Sequence, residues 1–324
     1  MLPRQKFAAA VLAMLIILLG VPWAIALTGR NDLYYTLTSV ALLSVASAGV
    51  WLTFYIGRIN IGQGAYALIG GYAAAILVVD GGMSFWLALP VAGVACAAVS
   101  VLIGWPILRL RGVYFAMVTL VLTEVARLLA LALPITKGAS GMVNIPVPGA
   151  IRLFGLTLVP DFAELKNPRL AFYIVAILLM AACFAGLYRL VHSRIGRLCL
   201  SLQQNEELAS SIGVNIASLR VIAYAISSFL GGVGGAMFVA ISQSIYPSSF
   251  TVTDSINFML NCFLGGLGYV LGPMIGTFVL YFGWDFLFRA GEYQLLIYAC
   301  ILIALMLVLP NGLLSLRLLP KKGG

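Results

Sequence analysis

Long uninterrupted apolar runs are the feature that most constrains the fold of this chain. They recur along its 324 residues, for example as LAMLIILLGV near the start and LLIYACILIALMLVL near the end. A run of about 18 residues or more is long enough to cross about 30 Å of hydrocarbon as a helix. Lipid offers no hydrogen bonds to an open backbone, so spanning segments must be helices or closed barrels. Barrel strands would alternate apolar and polar residues, and these runs do not. The pattern predicts an all-α polytopic membrane protein.

The composition agrees with this class and allows the spans to be counted. The chain is 62% hydrophobic and 9% charged, far above the ~45–50% apolar content of soluble proteins. About ten transmembrane helices are predicted, at 7–27, 33–56, 63–79, 85–108, 113–133, 169–190, 220–241, 254–270, 272–289 and 293–309.

A helix break is expected within 254–289, where Gly265, Gly266, Gly268 and Pro273 interrupt an apolar stretch. Either two tightly joined short spans or one long broken helix would fit. Broken helices are tolerated at membrane depth where protein or a cavity covers them.

The first apolar run has two interpretations. Arg4 and Lys6 precede it, as they would in a secretory signal peptide. The run over 7–27 is longer than the usual core of about 7–15 residues in such peptides, and further spans follow. An uncleaved first span is therefore the favoured prediction.

The distribution of lysine and arginine predicts the orientation. A cytoplasmic N-terminus puts twelve basic residues in the inner segments and six in the outer ones, and basic residues concentrate on the cytoplasmic side. Both termini are thus predicted to be cytoplasmic. The chain is predicted to form one transmembrane domain, 1–324, with a polar cytoplasmic loop at about 191–219 and an external loop at about 134–168. The net charge of +9 fits span flanks and not a nucleic-acid patch.

Catalytic motifs are missing from the sequence. It has one histidine and contains no HExxH, no GxSxG and no Cys/His metal spacing. The phosphate loop GxxxxGK[ST] is also missing, so the chain is expected to bind no cofactor or metal and not to hydrolyse ATP itself. If ATP drives transport here, another chain must bind it.

The polar stretch 191–220, VHSRIGRLCLSLQQNEELASSIGVNIASLR, stands out between apolar runs. It predicts an amphipathic helix outside the bilayer that contacts another protein. Its segment from Glu207 through Ala209 to Gly213 resembles the EAAxxxG coupling loop of ABC importer permeases, where glycine allows a sharp turn.

Further segments extend this resemblance. They are LRLRGVYFAMVTL at 108–120 followed by Glu124 and Arg127, Ile195-Gly196-Arg197, and LGGLG at 264–268 followed by Gly272-Pro273 and Gly276. Their order and gaps, over roughly 35–310, resemble the M-type subunit of branched-chain amino acid ABC permeases.

The resemblance implies a permease subunit in the bacterial inner membrane. Its implied partners are two cytoplasmic ABC ATPases that bind ATP, a homologous H-type permease subunit and an external solute-binding protein. The implied ATPase-coupling residues are Glu206, Glu207, Ala209, Gly213 and Arg197.

One departure from the family pattern leaves the solute open. The family commonly shows T-G-Q-x-S-L-G-H-A near 57–64, whereas this chain reads IGRINIGQGA from Ile56. Gln63 stands where histidine is usual, and Arg58 where glutamine is usual. If this turn touches the substrate path, the solute could be a branched-chain or other amino acid, urea, an amide or a small aromatic acid.

Polar residues within the spans are the candidates for a translocation path. Glu124 and Arg127 share a helix face and form either part of the path or a structural ion pair, since ionisable groups in membrane usually face the bundle interior. Asn257 and Asn261 could contact substrate or bond between helices. The candidate set is Asn60, Gln63, Tyr66, Glu124, Arg127, Asn257 and Asn261.

A second function fits part of the same pattern. A secondary transporter or channel that needs no ATPase would explain the broken helix and the Glu124–Arg127 pair. The match to the coupling loop would then be coincidental.

Overall fold

The computed structural model describes residues 20, 22, 32–110, 112–153, 156–159, 161–162, 164–165, 167–211, 213–309 and 311–317. Within these residues the fold is a bundle of helices. The helices are α1 (Asp32–Tyr55), α2 (Gln63–Val79), α3 (Phe85–Ile107), α4 (Val113–Ala132), α5 (Pro168–His192), α6 (Arg194–Gln204), α7 (Glu206–Ser211), α8 (Ile216–Ser242), α9 (Val252–Gly265), α10 (Gly272–Phe286) and α11 (Gln294–Val308).

Six stretches in the described part of the chain are long and apolar enough to cross a membrane. They are Leu33–Tyr55, Phe85–Ile107, Val113–Ala132, Pro168–His192, Ile216–Ser242 and Gly291–Ser315. Helices α2, α9 and α10 lie at predicted spans but, at 17, 14 and 15 residues, are too short to be among the six. Each of the nine predicted spans from 33 to 309 thus contains a helix, although the count of about ten is not confirmed. The predicted span 7–27 lies outside the described residues except for Gly20 and Pro22.

Helices α1, α2 and α8 form the centre of the bundle. Gly232 of α8 meets Gly70 of α2 so closely that a Cβ on Gly70 would overlap the Gly232 backbone. One turn on, a Cβ on Gly235 would overlap the carbonyl oxygen of Ala67. Because small residues let helix backbones approach in membranes, these glycines bring α2 and α8 into backbone contact.

The glycine-rich break forms a helical hairpin. Helix α9 ends at Gly265, the next residue Gly266 has φ of +111°, and α10 begins at Gly272 with Pro273 in its first turn. A Cβ on Gly265 would overlap the carbonyl oxygen of Gly272, and one on Gly276 would overlap that of Asn261. This pairing is antiparallel, so two tightly joined short helices occupy the region. Helix α9 ends five residues before the predicted boundary at 270 because the backbone reverses at Gly266.

The hairpin turn is fixed to α1. The indole Nε1 of Trp51 donates a hydrogen bond of 2.8 Å to the carbonyl oxygen of Leu267. At 14 and 15 residues, α9 and α10 are about 21 and 22 Å long. Each is shorter than the hydrocarbon layer of about 30 Å.

The loop predicted at 134–168 packs against the other end of the bundle. It contributes β1 (Met142–Val143), β2 (Ile151–Leu153) and β3 (Leu156–Val159), and β1 pairs antiparallel with β4 (Ser244–Ile245) after α8. The indole Nε1 of Trp86 donates to the carbonyl oxygen of Gly149 at 2.8 Å. The ring of Phe162 lies between Trp86 and Phe172. The loop therefore covers this end of the bundle.

Candidate functional site

The predicted polar loop contains two short helices, α6 and α7. A sharp turn connects α5 to α6, in which Ser193 Oγ accepts a hydrogen bond of 3.3 Å from the backbone N–H of Gly196. A Cβ on Gly196 would overlap the carbonyl oxygens of the preceding turn. Arg197 is exposed, and its Nη1 donates to the carbonyl oxygen of His192 at 3.1 Å.

Helix α6 is amphipathic, as predicted. Its inner face buries Gly196, Cys199 and Leu202, whereas Ile195 and Leu198 are exposed. Burial raises the pKa of the Cys199 thiol to about 11, so this cysteine is a neutral packing residue near pH 7.

Helix α7 has only six residues and is defined by a cap at each end. The Asn205 side chain accepts hydrogen bonds from the backbone N–H groups of Glu207 and Leu208 at 3.0 and 3.1 Å. At the other end, Gly213 has φ of +82°. The N–H groups of Gly213 and Val214 donate to the carbonyl oxygens of Ser210 and Ala209 at 2.9 and 3.2 Å. This is a Schellman ending, which favours glycine at the left-handed position.

The two faces of α7 have opposite surroundings. Ala209 is 2% exposed and packs against the bundle. Glu207 is exposed, and Leu208 is 65% exposed. A surface leucine beside an exposed carboxylate, on a helix capped at both ends, forms a small protrusion.

Glu206 ties α7 to the bundle through an ion pair network. Its Oε2 lies 2.5 Å from Nη2 of Arg220 on α8 and 3.9 Å from Nη2 of Arg58. The two arginines are 7% and 5% exposed. Glu206 therefore joins α7 to two separate parts of the membrane domain.

Arg58 opens a segment of irregular backbone, residues 58–62, between α1 and α2. This segment runs back along α1, because Gln63 lies beside Gly49, about 9 Å before the end of α1. Side chains accept hydrogen bonds from the backbone N–H groups of this segment. The N–H of Ile61 donates to Thr119 Oγ1 at 3.1 Å, and that of Gly62 donates to Asn60 Oδ1 at 2.9 Å. Irregular backbone within a membrane domain requires such cover by protein.

Asn60, Gln63 and Tyr66 lie together in the centre of the domain, each fully buried. Asn60 Nδ2 donates to Gln63 Oε1 at 3.3 Å, and Gln63 Nε2 donates to the carbonyl oxygen of Ser227 at 2.9 Å. The hydroxyl of Tyr66 donates to that of Tyr224 at 3.0 Å. In this conformation these hydrogen bonds connect the 58–62 segment to α2, and α2 to α8.

Replacing Gln63 with leucine is expected to lower the free energy of unfolding by about 2 kcal/mol, because Asn60 and the Ser227 hydroxyl would lose their buried acceptor. The measurement is the thermal midpoint of the purified protein in detergent. Tyr66→Phe serves as the control: it removes one hydroxyl bond and keeps the ring contacts, so a loss of about 0.6 kcal/mol is expected. Equal midpoints for Gln63→Leu and wild type would contradict the prediction.

The remaining candidates lie apart from this cluster. Arg127 Nη2 is 2.6 Å from Glu124 Oε1 on α4, and both side chains are partly exposed. The structure therefore forms the predicted pair, on a face that also exposes Val121, Val125 and Leu128.

Asn261 and Asn257 have different surroundings. Asn261 Nδ2 donates to Ser47 Oγ of α1 at 2.9 Å, which is an interhelical bond of the predicted kind. Asn257 is half-buried.

Sequence reasoning missed several residues of this site. The sequence shows Arg58 only as a departure from the family pattern and Arg220 only as the last residue of the polar stretch 191–220, whereas the structure places both against Glu206. Thr119, Ser227 and Ser255 also support the buried cluster: the Ser255 Oγ accepts from the N–H of Gly64 at 2.9 Å. Small polar residues inside apolar spans were the available signal.

Comparison with known proteins shows a family match over most of the chain. The family described as "Branched-chain amino acid transport system / permease component" matches residues 32–309. The high-affinity branched-chain amino acid transport system permease protein LivM of Escherichia coli K12 is 30% identical over 320 residues, which cover 93% of this chain and 74% of the relative.

More distant relatives cover most of the chain as well. The ribose import permease protein RbsC of the same strain is 25% identical over 86% of this chain and 85% of its own. The corresponding LivH permease is 24% identical over 80% of this chain and 86% of its own. No solved structure matches. The family match over most of the chain, together with the several apolar helices of the fold, shows that this multi-pass membrane protein belongs to the branched-chain amino acid transport system permease family.

Proposed function

We propose that this chain is the membrane-spanning permease subunit of an ATP-driven ABC importer. The observation that carries the proposal is α7: a doubly capped helix of six residues that presents Glu207 and Leu208 outward while Ala209 and Glu206 fix it to the bundle. So short a helix is not stable alone. Its caps and its exposed face suit insertion into a groove of a partner.

ATP would be bound by partner subunits, because this chain carries no phosphate loop. The expected assembly has two ABC ATPases, a homologous H-type permease subunit and an external solute-binding protein. Similarity to both LivM and LivH supports a pair of different permeases.

The solute is proposed to be a branched-chain or other amino acid. LivM carries that assignment in its name, and it matches nearly the whole chain. The buried Asn60, Gln63 and Tyr66 are proposed to line the path when the helices part, with Glu124, Arg127, Asn257 and Asn261 along the same route. The solute-binding protein would select the solute, so screening that protein identifies it.

The proposed location is the bacterial inner membrane with α6 and α7 in the cytoplasm. The bias of lysine and arginine toward the segments on that side supports it. ATP-driven closure of the ATPases would displace α7, and the helices would change from outward to inward access.

The test is a pull-down of the tagged chain from native membranes in mild detergent, with partners identified by mass. Wild type is expected to recover an ABC ATPase and a second permease. The double variant Glu207→Arg, Gly213→Val is expected to insert normally but to recover little ATPase and to lose most uptake. The reversed charge opposes docking, and a β-branched residue at φ of +82° breaks the helix cap.

Gly213→Asn is the matched control, since asparagine tolerates the left-handed conformation. It is expected to recover ATPase at the wild-type level. Unchanged ATPase recovery and uptake in the double variant would refute the coupling role of α7. Recovery of the wild-type chain alone, even after gentle crosslinking, would refute the importer assignment.

A further inference from the structure

Glu206 contacts two arginines that come from different parts of the membrane domain. Arg220 lies in the first turns of α8, and Arg58 lies in the loop after α1, just before the buried Asn60. The Glu206 carboxylate is 2.5 Å from the Arg220 guanidinium and 3.9 Å from that of Arg58. The side chains of the arginines are 9% and 6% exposed, while that of Glu206 is 24% exposed.

The exposed fractions of these three side chains determine which of them a docked partner can reach. A buried guanidinium is costly unless a carboxylate compensates it, and one carboxylate here serves two guanidiniums. The arginines are covered by the bundle, so a partner that docks on Glu207 and Leu208 would not reach them directly. Among the described contacts, Glu206 is the side chain that links both arginines to α7.

Two routes lead from Glu206 to the same buried side chain. In the first, Arg58 is followed by Asn60, whose Nδ2 donates to Gln63 Oε1 at 3.3 Å. In the second, Arg220 lies on α8 two turns before Ser227, whose hydroxyl donates to the same Gln63 Oε1 at 3.3 Å. Both routes therefore end at Gln63 Oε1, which accepts hydrogen bonds from the 58–62 segment and from α8.

We propose that Arg58 and Arg220 are positioning residues that carry the displacement of α7 into the membrane domain. Through Glu206, Arg220 moves α8 and Arg58 moves the 58–62 segment, and together they shift the two sides of the Gln63 cluster. This role rests on the proposed function, since it needs an ATPase to displace α7. The support this proposal requires is a change in the 58–62 segment that depends on the state of the ATPase.

The experiment follows the 58–62 segment directly. Ile59, which is 38% exposed, is replaced by cysteine in the tagged chain, and the complex is purified with its co-recovered partners. The rate of maleimide labelling at position 59 is measured by mass spectrometry of that peptide, without nucleotide and with ATP plus vanadate. With Arg58 and Arg220 intact, nucleotide is expected to change the labelling rate about fivefold or more.

Arg58→Gln on this background is expected to remove most of the nucleotide-dependent change while ATPase recovery stays unchanged. It should fold, because Glu206 and Arg220 remain as a one-to-one pair. Arg58→Lys, which restores the charge, is expected to restore most of the change. The control Arg189→Gln, at an exposed arginine of α5, is expected to leave the change intact.

A double-mutant cycle separates a role through Glu206 from a general structural one. Glu206→Gln is expected to reduce the change as Arg58→Gln does, and the two together should reduce it no further. If Glu206→Gln does not accumulate, Glu206→Asp takes its place. Additive losses would overturn the proposal.

The remaining outcomes separate the two hypotheses. A wild-type complex that contains ATPase but shows no nucleotide-dependent labelling change overturns the role of the arginines alone, as does an undiminished change in Arg58→Gln. A wild-type chain that recovers no ATPase overturns the proposed function and this role with it.

Discussion

Replacing Glu206 with arginine is expected to remove most of the folded protein, whereas the same replacement at Glu207 is expected to leave it folded. Glu206→Arg would place a third guanidinium beside two that are already buried, and uncompensated buried charge is strongly destabilising. Because Glu206 is partly exposed, we expect a loss of about 3 kcal/mol, at the lower end for buried pairs. The measurement is the yield of monodisperse protein in detergent together with its thermal midpoint.

Glu207 is the matched control because it is adjacent, carries the same charge and is exposed. Glu207→Arg should keep the wild-type midpoint and lose ATPase recovery instead. Comparable midpoints for the two variants would show that the Arg58–Glu206–Arg220 network does not hold α7 to the bundle.

The second large effect is expected at the α9–α10 hairpin. Gly265→Val is expected to prevent correct folding, because even its Cβ would overlap the backbone of Gly272, which cannot turn aside as a flexible side chain can. Overpacking alone costs about 1–3 kcal/mol. A backbone collision exceeds that, so we expect a loss of more than about 4 kcal/mol, measured by the same yield and midpoint.

Gly268→Ala, in the same turn, is the control. Its added Cβ would meet no atom within 4 Å, so a midpoint close to wild type is expected. If Gly265→Val were tolerated as well as Gly268→Ala, the close approach of the two helices would not be needed for stability.

The two largest expected losses of stability fall at two separate parts of the fold, the α9–α10 hairpin and the contact of α7 with the bundle. The hairpin turn is held to α1 by the bond from Trp51 to Leu267, and α7 is held by Glu206. The buried cluster around Gln63 lies beside Gly49 of α1, two residues before Trp51. A displacement of α7 under the proposed function would therefore act on tightly packed helices. Such packing favours a switch of the helices between discrete arrangements over their gradual deformation.

The sequence by itself determined the class, the order of the helices and the family. Apolar runs of spanning length require helices in lipid, and the helices at 33–309 lie close to the predicted bounds. The capped α7 was also accessible, because a left-handed glycine after a short polar helix is a local property.

Only the tertiary structure decided which polar residues meet. Arg58 and Glu206 are far apart in the chain, and Asn60, Gln63 and Ser227 join three elements. Nothing in local periodicity specifies such contacts, since any polar group in a span can find several partners. The sequence left two short helices or one broken helix open in this region, and the tertiary structure shows the hairpin at Gly265–Gly272. The hairpin depends on the antiparallel approach of the two backbones and on the anchor to Trp51, and both are long-range contacts.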